Sequence, residues 1–86
     1  MPQIELLGLA RRYAGVESLF LSGTTLEQIL RHLHTRCPDF AARCVSGELL
    51  PPGLIACVNE RQFTSDLNQT ILPDDRVLIL SADVGG

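Results

Sequence analysis

The spacing of apolar positions changes several times along the chain, and each change predicts an element. Ile4 to Ala10 is apolar with a single charge, Glu5, and predicts a first strand. Val16 to Leu21 alternates in part through Glu17 and Ser18 and predicts a second strand. The short polar connection between them carries Gly15, which predicts a hairpin. The period then switches to that of a helix. Leu26, Ile29, Leu30 and Leu33 form one apolar stripe, with Glu27, Gln28, Arg31 and His32 on the other side. Thr24 is the predicted N-cap, with Glu27 three residues on completing a capping box. Glu27 and Arg31 form an i,i+4 pair in the favourable order. Pro38 sets the helix end near Arg36.

Beyond Pro38 the pattern weakens. Phe40, Ala41, Ala42 and Val45 suit a short helix or turn broken by Gly47, and Pro51-Pro52-Gly53 is a loop. Leu54 to Asn59 predicts a strand, Asn59-Glu60-Arg61 a turn, and Gln62 to Thr64 a short edge strand. Asp66 to Leu72 is polar with one apolar anchor at each end. Pro73-Asp74-Asp75 suits a type I turn that delivers the chain into a final strand at Val77. This order of elements predicts an α+β fold of the β-grasp type, a mixed four- to five-stranded sheet packed on one main helix. The whole of residues 1–86 is expected as a single domain, with the last strand central and parallel to the first. Side chains alternate across a strand, yet Val77, Leu78, Ile79 and Leu80 are all apolar. If Val77 and Ile79 face the helix, Leu78 and Leu80 lie on the uncovered face, where an apolar stripe suits a partner. A covering loop is the alternative.

Residues 81–86, Ser-Ala-Asp-Val-Gly-Gly, follow the final strand with small side chains and no periodicity. They predict a flexible arm that reaches roughly 20 Å. Two glycines suit a backbone that threads a narrow channel. The carboxylate of Gly86 is a poor electrophile until a nucleotide-dependent partner activates it.

Composition narrows the setting. Hydrophobic residues make up 45% of the chain and charged residues 20%, which fits a folded globular domain. The formal charge of -3 argues against nucleic acid, since phosphate binding needs a basic face. No apolar run reaches membrane-spanning length and no signal peptide opens the chain, so a cytoplasmic location without membrane contact is expected. All seven basic residues are arginine. Codon bias accounts for this, but the consequence holds: no lysine amine competes for an activated terminus. Cys37, Cys44 and Cys57 are an odd set that argues against a disulfide framework. Cys57, in an apolar run, is expected as a small core residue. His34 and Cys37 can share a helix face, but the spacing with Cys44 and His32 is not that of a zinc site, and no metal is expected.

The residues together resemble a family. The opening Leu7-Gly8-Leu9-Ala10-Arg11-Arg12 through Gly15, the helix after paired strands, and Ala56-Cys57-Val58-Asn59 leading to a turn carry part of the likeness. Leu72-Pro73-Asp74-Asp75-Arg76-Val77 and the Gly85-Gly86 end carry the rest. They resemble the ubiquitin-like sulfur carriers of the MoaD/ThiS family, of which the molybdopterin synthase small subunit is one branch. The resemblance implies a carrier with no active site of its own. A ubiquitin-activating-type adenylyltransferase would use ATP to adenylate Gly86, and a sulfur donor such as a cysteine desulfurase or rhodanese-like protein would convert it to a thiocarboxylate. An acceptor enzyme, such as the molybdopterin synthase large subunit, would take the sulfur. Gly85 gives the tail access, and Leu78, Leu80 and Val84 meet the partner. The chain itself would hold no cofactor. Ser81-Ala82 stand where the molybdopterin branch often has Pro-Pro, which leaves thiamine, cysteine and tRNA-thiolation pathways open beside molybdenum cofactor biosynthesis. A ubiquitin-like interaction or conjugation module is the alternative of another class.

Overall fold

The computed structural model describes residues 1–82. The chain runs β1 (Gln3–Leu6), α1 (Leu9–Ala14), β2 (Ser18–Phe20), α2 (Leu26–Arg36), α3 (Pro38–Ala41), β3 (Leu54–Val58), β4 (Gln62–Thr64) and β5 (Arg76–Ser81). Five strands form one mixed sheet in the order β2-β1-β5-β3-β4. β5 is central. It runs parallel to β1, with Ile4 opposite Val77 and Leu6 opposite Ile79. It runs antiparallel to β3, with Ala56 opposite Ile79 and Cys57 opposite Leu78. This is the ubiquitin-like β-grasp that the order of apolar segments predicts.

The first strand is shorter than its apolar run. Gly8 takes a φ of 54°, which a Cβ disfavours, and turns the chain out of β1. Leu9–Ala14, made largely of good helix formers, then coils into α1, which Gly15 closes in a left-handed conformation with its N–H bonded to the Arg11 carbonyl. The predicted hairpin is therefore a strand–helix–strand unit, although β1 and β2 still pair antiparallel, Ile4 opposite Leu19. β2 is likewise limited to Ser18–Phe20, inside the predicted Val16–Leu21.

α2 is the main helix. Its stripe of Leu26, Ile29, Leu30 and Leu33 is fully buried against the sheet. The cap sits one residue later than the expected Thr24: Thr25 is the N-cap, and its hydroxyl oxygen accepts from the Gln28 N–H at 3.3 Å. Gln28 reaches back and accepts from the Thr24 N–H at 2.8 Å, so the reciprocal partner is Gln28 instead of Glu27. The first two helical N–H groups also have acceptors, the carbonyls of Gln69 and Leu67. Glu27 and Arg31 do pair, at 3.2 Å. Helix α2 stops at Arg36, before Pro38, which opens α3 at a position where its missing N–H costs nothing. Phe40 from α3 and Ala10 from α1 complete the helical layer over the core.

Two turns set the approach to β5. Pro73 and Asp74 occupy the middle of a turn closed by the Asp75 N–H bonded to the Leu72 carbonyl at 3.0 Å. Asn59 and Glu60 both have positive φ, 54° and 61°, and sit in the three-residue β3–β4 link, where the Arg61 N–H bonds the Val58 carbonyl at 3.1 Å. The Asn59 side chain then spans to β5: its oxygen accepts from the Arg76 N–H and its amide donates to Asp75, both at 2.8 Å.

Candidate functional site

The sheet has one face under the helices and one with no layer over it among the described residues. Register and pleat assign every strand residue to a face. Ile4, Leu6, Ala56, Val58, Val77 and Ile79 point into the core. Opposite them, Glu5 stands beside Leu78, Leu78 beside Cys57, Leu80 beside Ile55, and Cys57 beside Phe63. Leu78 and Leu80 are therefore on the open face, as their alternation requires. Leu78 is only 8% exposed and Cys57 only 3%, yet neither belongs to the core cluster. Cys57 is thus a small buried residue, as expected, but on the sheet face opposite the helices: an apolar run shows that a strand is buried but not from which side.

The open face divides into two zones. Towards the end of β5 it is apolar. Leu78, Leu80, Ile55, Cys57 and Phe63 form a continuous patch, and Phe63 is 57% exposed. The Leu7 N–H bonds to the Ile79 carbonyl, which seats Leu7, 41% exposed, next to the same end of β5. Towards the start of β5 the face is charged. Arg76 bridges Glu5 at 3.0 Å and Glu60 at 3.3 Å. Glu5 is the main reason that the guanidinium's already high pKa rises further, so Arg76 is a fixed cation. Its Nε is buried and makes no hydrogen bond, and one terminal nitrogen, Nη2, donates to both carboxylates. Leu7, Ile55 and Phe63 escape a reading of β5 by itself. They become visible only when the register places their strands beside it.

β5 carries the apolar zone to the edge of the body. Ser81 pairs with Leu54, and the Ala82 N–H donates to the Gly53 carbonyl at 2.7 Å. That bond fixes where the backbone leaves the sheet. Val84, Gly85 and Gly86 lie outside the described residues. On the helical side of the same exit is a cleft of about 340 Å³ walled by Gly47–Leu54, Ser65 and Leu67.

The cysteine and histidine residues assemble no obvious chemistry. His34 meets Cys44 instead of Cys37: its Nε2 lies 2.8 Å from the Leu49 carbonyl and 3.5 Å from the Cys44 sulfur. An imidazole N–H given to Leu49 ties the loop to α2 and leaves that nitrogen unable to act as a base for the thiol. Burial pushes both Cys37 and Cys44 up from 9.0, the opposite of what an activated thiol needs. No group of three or more His, Cys, Asp or Glu is placed to hold a metal among the described residues. No helix there is long and apolar enough to cross a membrane.

No family model matches the chain, and a comparison with curated proteins gives no match. Solved structures match over nearly the full length. The small archaeal modifier protein 1 (SAMP1) of Methanosarcina acetivorans superposes with a TM-score of 0.79 at 21% identity, covering 99% of this chain and 95% of the other. A chain of the Amycolatopsis orientalis BexX/CysO complex superposes at 0.78 and 23% identity over 100% of both. Mycobacterium tuberculosis CysO gives 0.74 at 20% identity, covering 95% and 99%. At these identities the likeness establishes the fold.

Proposed function

We propose that this chain is a sulfur carrier: a folded handle that presents the carboxyl group of Gly86 to other enzymes. The observation that supports it best is the apolar patch of Leu7, Ile55, Leu78 and Leu80, which adjoins the point where the backbone leaves β5 for Gly85-Gly86. A partner that grips this patch is aligned with the tail. Leu78 is the floor of the contact and Leu80, Ile55 and Phe63 its accessible surface, while Arg76 with its two carboxylates borders the grip. Val84 continues the apolar contact into the partner's channel, and Gly85 keeps the passage narrow.

In this reading the Gly86 carboxylate attacks the α-phosphorus of ATP on an adenylyltransferase, and pyrophosphate leaves. Hydrosulfide from a sulfur donor attacks the acyl carbon, the C–O bond to AMP breaks, and a thiocarboxylate remains. Transfer of that sulfur to an acceptor followed by hydrolysis restores the carboxylate. The body contributes no acid or base and binds no cofactor; ATP belongs to the activating partner. The absence of lysine leaves the activated carbon with no side-chain amine of its own chain to attack. None of the neighbours named above is named for molybdopterin synthesis. The acceptor is therefore proposed by class, as an enzyme that uses a protein thiocarboxylate, with molybdopterin, cysteine, thiamine and thiolated tRNA as pathways to compare.

The name of the archaeal neighbour as a modifier favours a second reading, in which Gly86 is joined to an amine. Incubating the chain with its cognate adenylyltransferase, ATP and sulfide separates the two. Exchange of one carboxyl oxygen for sulfur in the intact mass is the expected result, and Gly86→Ala should slow it without moving the melting temperature. Amide adducts to added protein, with no sulfur gain, would establish the modifier reading instead.

A further inference from the structure

The cleft beside the tail exit is a built feature. Its first wall, Gly47–Leu54, is pinned where the His34 ring bonds the Leu49 carbonyl at 2.8 Å and where the Leu54 N–H bonds the Pro51 carbonyl at 3.1 Å. Leu49 and Leu50 pack on the core and Pro51 is buried. Its second wall is pinned by the Glu27 N–H of α2, which bonds the Leu67 carbonyl at 3.0 Å, and by the Asp66 N–H on the Thr64 hydroxyl at 3.0 Å. Glu48 is the single charged residue among those lining the cleft, and Leu67, 37% exposed, is an accessible apolar wall. The Gly53 carbonyl that accepts from Ala82 belongs to the same wall. The tail base and the cleft are thus one continuous surface, on the other side of the sheet edge from the Leu80–Ile55 patch.

Resting on the carrier reading, we infer that this cleft is a second contact for the enzyme that activates the tail. Its occupant is an apolar side chain of that enzyme with a lysine or arginine next to it, the first filling the space against Leu67 and Leu50 and the second facing Glu48. An enzyme that draws in the tail must close around the exit, where the Ala82 N–H bonds the Gly53 carbonyl of the cleft wall at 2.7 Å. Charge complementarity fixes the sign: a cation meets Glu48, and an acidic partner is repelled. The open face then supplies general grip, and the 47–54 loop discriminates between partners.

The test is calorimetric binding of the full-length chain to its purified cognate adenylyltransferase, with Glu48→Arg, Leu67→Glu and Leu80→Glu compared to the unaltered chain. Glu48 and Leu67 are surface residues, and melting temperatures confirm folding. The inference expects Glu48→Arg and Leu67→Glu each to weaken binding by about tenfold or more. It also expects the charge-conserving variant Glu48→Asp to bind as the original does. If both cleft variants bind within twofold of the original while Leu80→Glu is weakened, the cleft inference is overturned and the carrier reading stands. If the unaltered chain neither binds nor gains sulfur, both fall.

Discussion

The two faces of β5 are equally apolar in sequence and differently used. Val77 and Ile79 are fully buried under α2 and its companions. Leu78 and Leu80, on the opposite side, lie beside sheet neighbours with no layer over them among the described residues. A strand buried on one side normally alternates apolar with polar residues. Here the alternation fails along one stretch of one face, near the tail exit, and resumes at Arg76, where charge returns. The difference teaches that apolar residues on the covered face serve the fold, while those on the open face need another explanation.

Substitution separates the two explanations. Ile79→Ala should destabilise the chain by about 2–5 kcal/mol, because it leaves a cavity in a closed core. Leu80→Ala should cost under about 1 kcal/mol, because its site is open to solvent on one side. Urea unfolding of the two variants measures the contrast, and near-equal losses would mean that the open face is a structural one. The charged zone gives a smaller effect of opposite sign. Glu60 holds a φ of 61° and an exposed contact to Arg76. Glu60→Gly removes a surface ion pair of little net value and relieves the disfavoured backbone, so stability should rise by about 1 kcal/mol. The smallest effect concerns the covered side alone. Burial raises the Cys37 thiol, partly offset by the Arg36 guanidinium, and burial with the Glu48 carboxylate raises Cys44. The folded chain then keeps protons that the unfolded chain releases, so stability declines as pH climbs past 9.0 towards the folded values. Cys37→Ala should flatten that alkaline decline in thermal melts taken across the range.

The sequence carried the fold where periodicity was long or punctuation strong. The α2 stripe, the Pro38 boundary, the Pro73 turn and the five strands are legible because burial and proline geometry leave few alternatives. α1 was hidden because six residues cannot display a helical period, and the apolar run Ile4–Ala10 passes through Gly8 without a polar break. The N-cap shifted by one because Thr24 and Thr25 are equally able to cap, and tertiary bonds from Gln69 and Leu67 decide between them. Of the site, Leu78 and Leu80 were placed on their face by alternation alone. Phe63, Ile55 and Leu7 depend on which strands become neighbours, and the cleft depends on a loop whose Gly47–Gly53 sequence has no period at all. The face that Cys57 takes depends on the same register.

The placement of β5 also governs how the molecule comes into being. β1 with β2, and β3 with β4, are separate pairs until the strand between them is made. A chain that stops short of Arg76 holds two strand pairs with unpaired inner edges, and its core lacks Val77 and Ile79. Synthesis must therefore run through Ser81 before a stable body exists.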